Sequence, residues 1–110
     1  MCGIVGYFSQ NKYNIDAGVE SLKHRGPDNQ NYASFKVDNN SQLVIGHTRL
    51  SIIDLQDLSN QPFTSSCGNY VIAYNGEIYN YKELKNQLSD DGFLFKTESD
   101  TEVLLNHFIH

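Results

Sequence analysis

Apolar and polar positions fall into short, well-separated blocks along this chain. Gly3 to Phe8 (GIVGYF) is an apolar run of strand length. Ile15, Val19 and Leu22 recur at helical spacing, which predicts a short helix over Asp16 to Lys23. His24-Arg25-Gly26-Pro27-Asp28 then breaks the pattern, Gly and Pro being the strongest local interruptions of regular structure. Alternation from Tyr32 to Val37, a turn at Asp38-Asn39-Asn40 and the apolar Gln42 to Thr48 predict a β-hairpin. A polar loop with an apolar patch follows from Arg49 to Gln61. Tyr70 to Tyr74 reads as a strand, and Asn75-Gly76 leads into another from Glu77 to Tyr79.

Tyr81, Leu84 and Leu88 predict a helix that Gly92 ends. Phe93 to Lys96 reads as a short strand. Ser99 and Glu102 have capping-box spacing, so a last helix begins near Asp100, with Val103, Leu104 and Phe108 on its apolar face. The order β-α-β-β-β-α-β-α predicts an α/β (α+β) domain, with helices packed on a largely antiparallel sheet. The helical pattern is still running at His110, which reads as the boundary of a fragment.

Composition narrows the function classes. A chain of 110 residues bounds this to one small domain. Its formal net charge of -5 implies no general attraction to nucleic acid. No segment approaches the ~20 apolar residues of a membrane span, and the start lacks the basic lead and long apolar core of a signal peptide. Two cysteines, Cys2 and Cys67, are too few for a disulfide framework. A cytoplasmic protein with free thiols is expected. His24, His47, His107 and His110 lack metal-ligand spacing, so no metal is expected.

The position of Cys2 carries specific chemistry. Once Met1 is removed, this residue holds a thiol and a free α-amine, whose reference pKa of about 8 is far below that of lysine. One residue then supplies nucleophile and base, whereas a retained Met1 would leave an amide that cannot act as a base. Position alone also fits a small buried residue at a strand start.

The neighbours add to this. Met1-Cys2-Gly3-Ile4-Val5-Gly6, His24-Arg25-Gly26-Pro27-Asp28, Gly46-His47-Thr48-Arg49-Leu50-Ser51-Ile52-Ile53-Asp54, Asn75-Gly76-Glu77-Ile78-Tyr79-Asn80 and Glu98-Ser99-Asp100-Thr101-Glu102 occur in this order. Together they resemble the class II glutamine amidotransferases along the whole chain. Arg-Leu-Ser-Ile-Ile-Asp followed by Gln61-Pro62 is similar to the N-terminal glutaminase domain of the asparagine synthetase type.

The resemblance implies the N-terminal nucleophile hydrolase fold, a four-layer α/β/β/α sandwich of antiparallel sheets, truncated here. Residues 1–110 would be a partial glutaminase domain, with its later part and an ATP-dependent synthetase domain absent. The implied activity is hydrolysis of L-glutamine to glutamate and ammonia through a Cys2 thioester. The ammonia would serve conversion of aspartate to asparagine in a full-length enzyme. No cofactor is implied for the glutaminase portion, and ATP and magnesium are implied for the full-length enzyme. Implied partners are L-glutamine, the C-terminal synthetase domain and a second copy in a homo-dimer. Two other readings stand beside this one: a truncated, non-catalytic remnant, and a relative that amidates another acceptor.

Carried onto this sequence, Asn75 and Gly76 would form the oxyanion hole, the Asn amide and the Gly N–H both being donors. The same pair fits a tight turn between strands. Arg49 would clamp the glutamine α-carboxylate with its planar fork, though it also fits a surface arginine at a strand end. Leu50, Ser51, Ile52 and Ile53 would line the same pocket. Asp100, helped by Glu77, would accept the α-ammonium, and it also fits a helix-start carboxylate. Ser99 reads as the cap, and Arg25 and Asp28 as support beside the site. Cys67 reads as a spare thiol, and Tyr79, Tyr81 and Phe108 as core or pocket wall.

Overall fold

The computed structural model describes residues 2–52 and 54–110. It is a mixed α/β fold whose sheets are antiparallel. β1 (Gly3–Ser9), β2 (Asn29–Lys36) and β3 (Gln42–Arg49) form a sheet in the order β1-β3-β2, so β3 is central. Its register sets Gly3 opposite Thr48 and Asn29 opposite Arg49. Cys2 thus enters the sheet at the same end at which Arg49 leaves it. The predicted hairpin is present, and its turn closes on Asp38, whose Oδ1 accepts from Asn40 N and Ser41 N at 2.8 and 2.7 Å.

α1 (Ile15–Ser21) starts one residue earlier than predicted and hands over to a 3-10 turn at Lys23–Arg25. Asn14 caps it by accepting from Ala17 N at 3.1 Å. Its buried face, Ile15 and Val19, packs on Val44 with Val5 and Tyr7 beside them. This covers one face of the sheet. On the opposite face Ile4 and Phe8 remain 44% and 63% exposed.

β4 (Phe63–Thr64) and β5 (Val71–Ile72) form a separate two-stranded antiparallel sheet. The strand expected over Tyr70 to Tyr74 is therefore only Val71–Ile72, and its partner β4 was not anticipated. α2 (Tyr81–Asp90) packs against α3 (Asp100–Ile109), which also touches β5. Gly92, at φ +95°, ends α2 as predicted. Phe93 N donates to Leu88 O at 2.9 Å and Gly92 N to Ser89 O at 3.1 Å, the paired bonds of a Schellman motif.

Three expectations need correction. Glu77 to Tyr79 is not a strand, because Ile78 N donates to the Asp100 carboxylate instead of to a ladder. Phe93 to Lys96 is not a strand either, because Lys96 N and Thr97 N are claimed by Glu102. The face of α3 also differs. Phe108 points outward at 76% exposed, stacked edge-on against Tyr70, while Glu102, Val103 and Asn106 turn inward. Among the described residues, no helix is long and apolar enough to cross a membrane.

Candidate active site

The ends of β1 and β3, the loop after β3, the segment after β5 and the start of α3 meet around one cavity of about 360 Å³. That volume is in the range of small-molecule sites. Cys2, Arg49, Leu50, Ile52, Asn75, Gly76, Glu77 and Asp100 all line it. Ser51 does not. Its N–H turns away to Asp28 Oδ2 at 2.8 Å. Ile53 lies outside the described residues.

Cys2 is half-buried and held from two sides. Leu50 N donates to its Sγ at 3.4 Å, and Arg25 Nε donates to its carbonyl at 3.1 Å. Asp28 N donates to Arg49 O at 3.0 Å. The His24–Asp28 motif is thus a brace that ties residue 2 and residues 49–51 together. Gly26 lets the brace approach, since a Cβ there would lie inside the backbone of Thr48 and Arg49.

Arg49 is buried, not a surface residue. Its Nη1 donates to Gln56 O and Asn60 Oδ1, both at 2.9 Å, and its Nη2 donates to Asp54 O. The loop after β3 therefore wraps the guanidinium and fixes its plane, with the cavity on its remaining side. Asp54 itself is buried. Burial pushes its carboxyl up, but donors from Gln56, Ser59 and Glu98, with Arg49 nearby, outweigh that and hold it below the ordinary carboxylate range.

Glu77 and Asp100 add negative charge to the cavity wall. Asp100 opens α3 and is buried, and its Oδ2 accepts from Ile78 N at 3.0 Å. Ser99 caps the helix by accepting from Thr101 N at 3.1 Å. Its capping box is incomplete, because Glu102 reaches Lys96 and Thr97 rather than Ser99. Tyr74 feels the negative field: burial raises its phenol pKa, and Asp100 and Glu77 raise it further. A Cβ on Gly76 would stand 2.6 Å from the Tyr74 hydroxyl, so a larger residue after Asn75 would have to displace that ring.

Four residues of the wall had no role in the sequence reading: Asp54, Gln61, Tyr74 and Thr101. Gln61 bonds both neighbours, Nε2 to Thr101 Oγ1 at 3.1 Å and Oε1 from Tyr74 N at 2.5 Å. Asp54, Gln61 and Thr101 stand in the motifs that carry the resemblance, which was the available signal. Tyr79 lines the cavity but is 90% exposed, and Tyr81 is half-buried outside it. Cys67 is exposed and is not part of the cavity wall. Hydrogen bonds from Ser65 and Asn69 hold its thiol pKa below the ordinary value. Among the described residues, no group of three or more His, Cys, Asp or Glu could hold a metal ion.

Cys2, Arg49, Glu77 and Asp100 thus line one cavity at the end of an antiparallel sheet. The chain belongs to the glutamine amidotransferase domain family, which it matches over residues 1–110. Within that family it is a glutamine amidotransferase domain of the asparagine synthetase type. It is 40% identical over its whole length to the glutamine-hydrolyzing asparagine synthetase 1 of Bacillus subtilis (strain 168), and 37% identical over 99% of its length to synthetase 3 of that organism. It is also 33% identical, over 94% of its length, to an amidophosphoribosyltransferase of Archaeoglobus fulgidus. The chain spans 18% of the length of each of the two synthetases and 29% of the third relative.

Proposed function

We propose that this chain hydrolyses L-glutamine and delivers the ammonia to a synthetase domain that consumes ATP and aspartate and requires magnesium. One observation carries the reading: Cys2 lines the same cavity as Arg49, Glu77 and Asp100. A zwitterionic head group with an amide on its side chain matches that charge pattern. The Arg49 fork takes the α-carboxylate, and Asp100 with Glu77 takes the α-ammonium.

After removal of Met1, the Cys2 amine takes the thiol proton and the sulfur attacks the side-chain amide carbon. The carbonyl oxygen draws on the Asn75 amide and the Gly76 N–H while it is negative. Collapse breaks the C–N bond, the amine returns its proton, and ammonia leaves a γ-glutamyl thioester. Water then cleaves the C–S bond, giving glutamate and the free thiol. No cofactor enters any of these steps.

Residues 1–110 are the leading part of the glutaminase domain, in the cytoplasm. The three-stranded sheet covered on one face by α1, and the two-stranded sheet touched by α3, support the four-layer α/β/β/α sandwich. The test is intact mass together with glutamate release. Loss of Met1 should accompany turnover, and Cys2→Ala should abolish it. Turnover by the Cys2→Ala protein would overturn the reading.

A further inference from the structure

The carboxylate of Asp54 joins two segments that lie far apart in the sequence. Its Oδ1 accepts from Gln56 N at 2.9 Å, and its Oδ2 accepts from Ser59 Oγ and from Glu98 N, both at 2.8 Å. The first two bonds shape the loop whose carbonyls at Asp54 and Gln56, with Asn60, hold the Arg49 guanidinium. The third reaches across 44 positions to Glu98, two residues ahead of Asp100. Asp54 is 6% exposed, and no Lys, Arg or His lies within ion-pair distance of its carboxylate among the described residues. Three donors hold this buried carboxylate ionised without an ion-pair partner, so its oxygens fix the places of the groups that donate to them.

We propose that Asp54 is a positioning residue that sets the separation between the Arg49 guanidinium and the Asp100 carboxylate, so that the site selects a substrate carrying both an α-carboxylate and an α-ammonium. The inference rests on the glutamine site proposed above and deepens it. Arg49 and Asp100 grip opposite ends of one small head group. A shift of either by a fraction of an ångström spoils the pair while leaving each grip intact. A substrate lacking the amino group uses only Arg49 and is indifferent to the spacing.

The test compares glutamine with glutaramate, which is glutamine without its α-amino group, in the intact protein. An amide at position 54 offers one acceptor and one donor group, so Asp54→Asn must face either Gln56 N–H or Glu98 N–H with a donor. Asp54→Asn should lower kcat/KM for glutamine about 10-fold, mostly through KM, while changing glutaramate hydrolysis less than about 3-fold. Glu98→Pro makes the same cut from the other side, since proline has no N–H to give, and should collapse the discrimination alike even if Asp54→Asn does not fold. Glu98→Ala keeps the N–H, loses only the surface pair with Lys85, and should leave discrimination unchanged. Equal losses for both substrates, or unchanged discrimination in Asp54→Asn and Glu98→Pro, would overturn the proposal. Either result with an inactive Cys2→Ala protein leaves the glutamine site standing, whereas turnover by Cys2→Ala removes the site itself.

Discussion

Leu50 N–H donates to Cys2 Sγ across 3.4 Å, joining residues 48 positions apart. The bond is a product of register. Gly3 pairs with Thr48, so Cys2 comes opposite Arg49 and its sulfur reaches the N–H of the next residue, Leu50. The sulfur is thereby placed beside the loop that wraps Arg49, and the two groups share one cavity wall.

The two thiols should separate by ligand protection. Cys2 lines the cavity, and Cys67 is exposed outside it beside Ser65 at 3.2 Å. Glutamine should slow alkylation of Cys2 and leave that of Cys67 unchanged, as read by peptide mass. Cys67→Ala should keep full turnover. Glutamine protection of Cys67 rather than Cys2 would place the ligand elsewhere.

Arg49→Lys should raise KM for glutamine about 10-fold or more while altering kcat far less. An ammonium cannot reproduce the planar fork or satisfy Gln56 O, Asn60 Oδ1 and Asp54 O together. Steady-state kinetics on folded variant protein decides this, and an unchanged KM would remove the carboxylate-clamp role.

Gly26→Ala should be among the most damaging small substitutions. The added methyl meets main-chain atoms of Thr48 and Arg49 in the central strand, which have no room to give. Overpacking typically costs about 1–3 kcal/mol, and a backbone obstacle belongs at or above the upper end. Chemical denaturation measures the loss. The same substitution at Gly68, where nothing lies within 4 Å but φ is +78°, should cost only the backbone term, about 1 kcal/mol.

How much of this was legible in the residues varies by element. The β2–β3 hairpin, α2 with its Gly92 stop and the Ser99 cap follow from local rules, because each is settled by neighbours in sequence. The segments 77–79 and 93–96 are not strands because Ile78 N and Lys96 N are satisfied by Asp100 and Glu102, side chains that come later in the chain. α3 hides its inward face behind polar residues, Ser99, Glu102 and Asn106 flanking Val103, so a search for apolar spacing selects Phe108 instead. In the site, Cys2, Arg49, Asn75 and Asp100 were readable from motif resemblance. The tie made by Asp54 was not, since it depends on tertiary placement of Glu98.

Glu102→Gln tests the first of those hidden constraints. Glu102 is 2% exposed, and its carboxylate accepts from Lys96 N at 2.9 Å, from Thr97 N at 2.7 Å and from Thr97 Oγ1 at 2.6 Å. An amide keeps one acceptor oxygen and sets a donor against an N–H that cannot turn. The expected loss is about 1.5–3 kcal/mol of stability, with faster amide exchange at Lys96 and Thr97. A change below about 0.5 kcal/mol would show that the segment before Asp100 is held by other contacts.

His47 should make stability depend on mild acid. Its ring is 0% exposed, and its Nε2 lies 3.2 Å from Tyr74 O, so Nε2 carries the hydrogen and Nδ1 is left as a buried acceptor with no partner among the described residues. Burial pushes the imidazole pKa below its ordinary 6.5, the bond to Tyr74 opposes this, and the nearby Arg49 charge lowers it further. The folded state therefore resists a proton that the unfolded chain accepts. Stability from this group is fully present above pH 6.5 and is lost as pH falls from there through the lower folded value, at up to about 1.4 kcal/mol per pH unit. Unfolding free energies between about pH 5 and 8 should fall more steeply on the acid side for the parent than for His47→Gln. Parallel curves would mean that another group sets the acid limit.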